Sequence, residues 1–124
     1  MNVADILRIH AEQHPTEVAL IDVHRGFSRR MTFFDLEQAT GRTAALLRDC
    51  GLRAGDTVLV FHPMSLELYV ALGALLRSGL VAMFVDPSAG RKYIDRCCEL
   101  RRPRAMISSS RVHWLRLVSP ALRR

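Results

Sequence analysis

The sequence predicts an α/β fold: a mostly parallel sheet flanked by helices, preceded by an early β-hairpin, in an incomplete domain. Three observations carry this. Helical stripes of ten or more residues alternate with short apolar runs along the second half of the chain, the pattern that crossover connections between parallel strands require. The run Thr57-Val58-Leu59-Val60-Phe61 is apolar on both faces and rich in β-formers, as a strand covered on both sides should be. The chain ends shortly after its third such run, so a hydrophobic sheet edge is expected with nothing to cover it.

Each element has its own local reason. Asn2 caps the first helix with Asp5 three residues on, and Val3, Ile6, Leu7 and Ala11 form its apolar face until His14-Pro15 ends it. Val18 to Ile21, a turn over His24-Arg25-Gly26-Phe27-Ser28, and Arg29 to Phe33 read as the hairpin. Thr32 with Asp35 repeats the capping signal. Phe33, Leu36, Ala39, Thr43 and Leu47 then keep a helical stripe up to Cys50-Gly51, a left-handed stop. After the turn at Gly55-Asp56 comes the central strand, 57–61. Ser65 caps a third helix running to Ser78, in which Gly73 and Ala74 permit a neighbour to approach closely. Leu80 to Val85 reads as a second two-sided strand, broken by Asp86-Pro87-Ser88. Arg91 to Leu100 places Ile94, Cys97 and Leu100 on one helical stripe, and Arg101-Arg102-Pro103 stops it. Ala105 to Ser108 is the next strand. Val112, Leu115 and Leu117, with Trp114, indicate a last helical turn or two before a basic tail. The organisation expected is therefore one partial domain over residues 1–118 and a disordered basic tail at 119–124.

Composition bounds the function. With 124 residues, 49% hydrophobic and 24% charged, the chain is one soluble domain able to bury a core without disulfides. Three cysteines, two of them the adjacent Cys97-Cys98, give neither a disulfide framework nor a metal spacing, so a reducing, cytoplasmic setting is expected. The N-terminus has no basic start and no long apolar stretch, so no signal peptide is expected. Leu66 to Val85 is mostly apolar but contains Glu67, Arg77 and Ser78-Gly79, which argues against an integral membrane span. The net charge of +6 divides into −1 for residues 1–62 and +7 for residues 63–124. The basic end, Arg101, Arg102, Arg104, Arg111, Arg116, Arg123 and Arg124 with Trp114 among them, has the charge to follow a phosphate backbone. No nucleic-acid motif accompanies it, and a solvated face with a frayed tail is the commoner reading.

Several residues invite chemistry and are weighed against plainer roles. In open parallel sheets ligands gather at the carboxyl ends of the strands, where this sequence places His62, Asp86 and Ser108 to Ser110. These are the residue types of a hydrolase triad, but no Gly-x-Ser-x-Gly elbow surrounds any serine. His10 and His14 have a metal-ligand spacing without a third ligand. Cys97 and Cys98 diverge by about 100° on a helix, so at most one enters the core, and neither has an identifiable basic activator. Pro87-Ser88-Ala89-Gly90-Arg91-Lys92 has a small-residue turn, a helix start and two cations, but Lys92 is followed by Tyr93 and no earlier glycine completes a phosphate loop. No catalytic, cofactor-binding or metal-ligating residue is assigned.

Taken together, ordered motifs resemble one family, the AMP-forming adenylating enzymes, meaning acyl-CoA synthetases and their relatives. Met31-Thr32-Phe33-Phe34-Asp35-Leu36 is similar to the family's Leu-Thr-Tyr-x-x-Leu, Gly55-Asp56-Thr57-Val58 to its Gly-Asp-x-Val, and Leu76-Arg77-Ser78-Gly79 through Val85-Asp86-Pro87 to its Leu-Lys-Ala-Gly to Leu-Asp-Pro segment. Pro63-x-Ser65-x-Glu67, Asp86-Pro87, Cys97, Pro103-x-Ala105-x-Ile107 and His113 resemble the branch that activates long acyl chains, including olefin β-lactone synthetases. Met64 and Phe84 depart from the Asn and Pro that many members carry.

The resemblance implies the N-terminal part of an adenylating-enzyme large domain. In the parent, a fatty-acid carboxylate attacks the α-phosphate of ATP with Mg, and coenzyme A or an internal hydroxyl then takes the acyl group. The family's Ser/Thr/Gly-rich loop with its lysine, its aromatic-Thr-Glu segment, its ribose-binding Asp and its C-terminal lysine have no counterpart here, and Ser108-Ser109-Ser110 is not that loop. The chain by itself is thus expected to be inactive and without a cofactor, its partner being the remainder of the ligase and not nucleic acid. The alternative is a small cytoplasmic binding protein using its basic half on nucleic acid or an acidic partner.

Overall fold

The computed structural model describes residues 2–108, with the side chain of Pro87 excepted. The elements run α1 (Val3–Gln13), β1 (Val18–His24), β2 (Phe27–Thr32), α2 (Phe33–Asp49), β3 (Thr57–Phe61), α3 (Leu66–Arg77), β4 (Val81–Phe84), a short 3-10 turn (Pro87–Ala89), α4 (Arg91–Leu100) and β5 (Ala105–Ser108). β1 and β2 form an antiparallel hairpin; β4, β3 and β5, in that order, form a separate parallel sheet with β3 at its centre. The expected final helical turns and the 119–124 tail lie outside the described residues.

The parallel sheet is organised by the two faces of β3. All five of its residues are buried. Val58 and Val60 face Ala44, Leu47, Leu68, Ala74, Leu75 and Leu80, from α2, α3 and the approach to β4. Leu59 and Phe61 face Val85, Ile94 and Cys98, so α4 covers the other side. The expected central strand is therefore the observed one. β4 is shorter than the expected strand 80–85 but two-sided as expected, Ala82 packing against the first cluster and Met83 against the second. Val81 to Met83 are half-buried and Phe84 is 55% exposed, since among the described residues β4 pairs with β3 alone, while the flanking Leu80 and Val85 are buried.

Helix starts follow the sequence. Asn2 accepts from Ala4 N–H while its own N–H donates to Asp5, closing the capping box. Thr32 and Ser65 accept from Asp35 N–H and Leu68 N–H. Helix faces are another matter. In α1 the buried residues are Ala4 and Ala11, while Val3 and Ile6, expected inside, are 66% and 47% exposed. Asn2 also donates to the Leu76 carbonyl, a tether to the end of α3 that sets how α1 is rotated. In α2 the inward set is Leu36, Thr40, Ala44 and Leu47; Ala39 and Thr43 are half-buried, and Thr43 bonds back to the Ala39 carbonyl. In α4 the buried pair is Ile94 and Cys98; of the expected stripe, Ile94 is buried, Cys97 packs half-buried against the same cluster, and Leu100 is 77% exposed. A three-residue step falls about 60° short of a full turn, so two such steps carry Leu100 off the face that Ile94 defines.

One close approach and one tight turn use glycine. A Cβ at Gly73 would sit 3.1 Å from Thr40 Cγ2, so α2 and α3 meet where a side chain is missing. The hairpin turns on Arg25 and Gly26 alone, both at positive φ (52° and 82°), a two-residue turn matched to strand twist. The expected five-residue turn is correspondingly too long: β1 extends to His24, β2 begins at Phe27, and Phe33 belongs to α2.

Candidate functional site

Because β3, β4 and β5 are parallel, their carboxyl ends share one edge, where His62, Asp86 and Ser108 follow or end the strands. The side chains there do not form a triad. His62 Nδ1 lies 3.0 Å from the Pro63 carbonyl and 3.2 Å from Ser65 Oγ. Asp86 accepts from Ser88 N–H at 2.9 Å, and that backbone donor, helped by the Ser88 hydroxyl, holds its carboxyl below the usual range. Ser108 Oγ is buried with no hydrogen-bond partner among the described residues. Ser109 and Ser110 lie outside those residues.

Other expected groups take structural roles. His10 stacks on Phe33 with centroids 5.4 Å apart, and His14, at the C-cap of α1, lies 3.5 Å from Glu17. Among the described residues no group of three or more His, Cys, Asp or Glu is placed to hold a metal ion. Cys98 is the cysteine that enters the core, and burial pushes its thiol up, away from nucleophilic use. Cys97 is half-buried and, as hydrogen-bond partner, holds the Tyr93 phenol above its ordinary range. The segment 86–92 is an Asp86-capped turn leading to Gly90 at φ 96°, after which α4 opens without a side-chain cap. Of the basic end, Arg101 donates to Thr57 Oγ1 at 3.1 Å and Arg104 N–H to the Thr57 carbonyl at 2.8 Å, so both dock on the start of β3. Arg102 is exposed; Arg111, Trp114, Arg116, Arg123 and Arg124 lie outside the described residues.

One constellation escaped the sequence reading. Asp22 on β1 and Arg29 on β2 are cross-strand neighbours, and Arg29 reaches on to Glu67 in the first turn of α3. Its Nε and Nη2 donate to the Asp22 carboxylate at 2.8 and 2.5 Å, and its Nη1 and Nη2 to Glu67 at 2.6 and 2.9 Å. Asp22 also accepts from Leu66 N–H at 2.9 Å, tying the hairpin to the free donors of the helix start. The Arg29 guanidinium holds Glu67 at about 2 and lowers Asp22 as well, while the two carboxylates raise Arg29. Beside the clamp a groove of about 380 Å³ runs between the hairpin and α2–α3, lined by Met31, Ala39, Thr43, Leu66, Val70 and Ala71. The only signal in the sequence was Glu67 within Pro63-x-Ser65-x-Glu67. Its ion-pair partner lies 38 residues away, which no local pattern reports.

The edge thus presents His62, whose ring lies within hydrogen-bonding distance of Pro63 and of the Ser65 cap of α3. A family model described as AMP-binding enzyme matches residues 7–122. The chain is 31% identical over 111 residues to pyochelin synthase PchD of Pseudomonas aeruginosa (strain UCBPP-PA14), covering 90% of this chain and 20% of that protein. It therefore spans about a fifth of that relative's length. Among solved structures, it is similar to the N-terminal subdomain of Klebsiella oxytoca NpsA, with a TM-score of 0.78 and 29% identity over 88% of this chain and 28% of that one. It is also similar to a fatty acid AMP ligase from Legionella pneumophila, with a TM-score of 0.79 and 25% identity over 89% and 20%.

Proposed function

The chain belongs to the AMP-binding enzyme family, and from that premise we propose that it is the N-terminal part of an acyl-activating ligase whose substrate is a fatty acid. The parent converts the fatty acid and ATP, with Mg, to an acyl-adenylate and pyrophosphate, and passes the acyl group to coenzyme A or to an internal hydroxyl that closes a β-lactone. The observation that carries this reading is the likeness of the β4-β3-β5 sheet and its helices to a fatty acid AMP ligase over nearly the whole chain. The long-acyl motifs at Pro63-x-Ser65-x-Glu67 and Asp86-Pro87 support the substrate class.

By themselves residues 1–124 do not catalyse adenylation. Two observations support this. The lysine-bearing loop and the other ATP-handling segments of the family have no counterpart in the sequence, and the carboxylate at the end of β4 is engaged by Ser88. The described side chains at this edge do not fit a magnesium–triphosphate group, whose transferring phosphorus requires positioned cations. ATP, Mg and coenzyme A belong to the parent, and the partner of this segment is the remainder of that ligase.

ATP–pyrophosphate exchange tests both parts. Purified residues 1–124 should give none with any carboxylic acid, and a signal above the protein-free control would overturn the inactivity. In a protein carrying these residues at the head of a complete adenylation domain, exchange should depend on a long-chain fatty acid. An equal response to acetate would overturn the fatty-acyl assignment.

A further inference from the structure

At the amino ends of β3 and β4, opposite the His62 edge, a groove of about 430 Å³ opens between the last turns of α2 and α3. Arg48, Arg53 and Arg77 line it, with Ala45, Leu52 and Ala54 as its apolar wall, and no carboxylate is among its described lining residues. The helix dipole favours arginine in a last turn, which accounts for the placing of Arg48 and Arg77 but not of Arg53. Nor do the helix ends need them as caps. Cys50 and Leu52 N–H already donate to the Leu46 and Leu47 carbonyls, and Ser78 and Leu80 N–H to those of Ala74 and Leu75. Arg77 Nη2 donates to Glu37, while its Nη1 faces Gly41, where a Cβ would sit 3.2 Å away. Asp56 accepts the backbone N–H of Arg53 at 2.9 Å and lies 4.0 Å from Arg104, so it leaves the Arg53 side chain alone. Among the described residues the guanidinium groups of Arg48 and Arg53 have neither an ion pair nor a hydrogen bond.

We propose that this groove is an anion site that takes the phosphate or diphosphate group of a small molecule. A guanidinium presents a planar fork of N–H donors that matches phosphate oxygens, and charge-assisted bonds of this kind are about twice as strong as neutral ones. Arg48 and Arg53 have their whole forks to offer. Arg77, half-buried and fixed by Glu37, offers its Nη1 side. The groove has the size of a small-molecule site, and its three cations surround one cavity instead of spreading along a face, which favours a compact phosphate over an acidic peptide. The site lies at the far end of the sheet from His62 and Asp86 and does not rest on the adenylation reading.

Inorganic pyrophosphate titrated into the nitrogen-15-labelled 124-residue chain, at constant ionic strength, is the test. The amide signals of Leu52, Ala54 and Ser78 should shift saturably. Arg48→Gln and Arg53→Gln change exposed side chains, so the fold should survive both. Each should raise the half-saturating concentration severalfold, and the two together by about tenfold or more. Arg77 stays unaltered, because its ion pair with Glu37 also joins α3 to α2. Arg96→Gln on α4, and Arg123→Gln with Arg124→Gln, should leave the titration unchanged. Shifts that never saturate, or equal weakening by the Arg96 or the Arg123 and Arg124 changes, would reduce the effect to diffuse attraction by a basic chain and overturn the site. An oligoglutamate peptide that moves the same amides at lower concentration than pyrophosphate would overturn the small-anion assignment in favour of an acidic partner.

Discussion

The parallel sheet and the hairpin are attached to the same helices by opposite physics. β3 buries all five residues between two apolar clusters, with Leu59 at 1% and Val58 at 0% exposure. The hairpin leaves Ile21, Val23 and Phe27 at 62%, 74% and 77% exposure and reaches α3 through one arginine shared by two carboxylates and through the Leu66 N–H bond to Asp22. Apolar burial is non-directional and carries no charge to titrate, whereas ion pairs near solvent are directional and screened by salt. The sheet should therefore behave as the stable unit of the segment. The hairpin should be the part that opens locally, at a free energy well below that of global unfolding.

The largest effect is expected in the sheet layer. Leu75, fully buried against Val58 and Val60, should cost about 2–5 kcal/mol on Leu75→Ala, from lost transfer energy and the residual cavity, read as a lower urea midpoint. A loss no larger than that of a surface substitution would mean that β3 does not organise the core. Arg29→Ala should act on the other region. Hydrogen exchange of the β1–β2 amides should speed up while β3 amides keep their protection; equal acceleration in both would erase the distinction between the two regions.

Acid provides a second, milder probe of the clamp. Glu67 is held at about 2 against an ordinary value of 4.5, and Asp22 is lowered in the same sense. A depressed carboxyl stabilises the fold fully above its unfolded value and loses that contribution as pH falls. The hairpin's protection should therefore decline from about pH 4.5 toward pH 2, and Glu67→Gln should flatten the decline. The smallest effect is expected at Ile6, 47% exposed on α1, where Ile6→Ser should stay within about 0.5 kcal/mol in the same urea titration.

Much of this architecture was legible from residue types. The caps at Asn2, Thr32 and Ser65, the central place of Thr57–Phe61 and the close approach at Gly73 each depend on chemistry within one turn or one strand. The faces of α1 and α4 differ from the local stripes at Val3, Ile6 and Leu100, because two rotations of a short helix bury similar apolar area until a neighbour or a tether chooses one. The two covered faces of β4 follow from its apolar run, but an apolar run does not announce that, among the described strands, β4 pairs with β3 alone. At the candidate site, His62 and Asp86 were correctly placed at the strand ends, yet their hydrogen-bond partners proved to be Pro63, Ser65 and Ser88, their own chain neighbours.

The sequence by itself determined the fold class, the order of elements and the family, because periodicity, capping and short motifs are local properties whose order along the chain is retained whatever the packing. Only the tertiary structure decided which side of each helix faces inward, which strands lie at the edges, and that Asp22, Arg29 and Glu67 share one cluster. Those outcomes depend on contacts between residues tens of positions apart, such as the 44 that separate Asp22 from Leu66. Their energies exist only once the backbone has brought them together, and no window along the chain contains them.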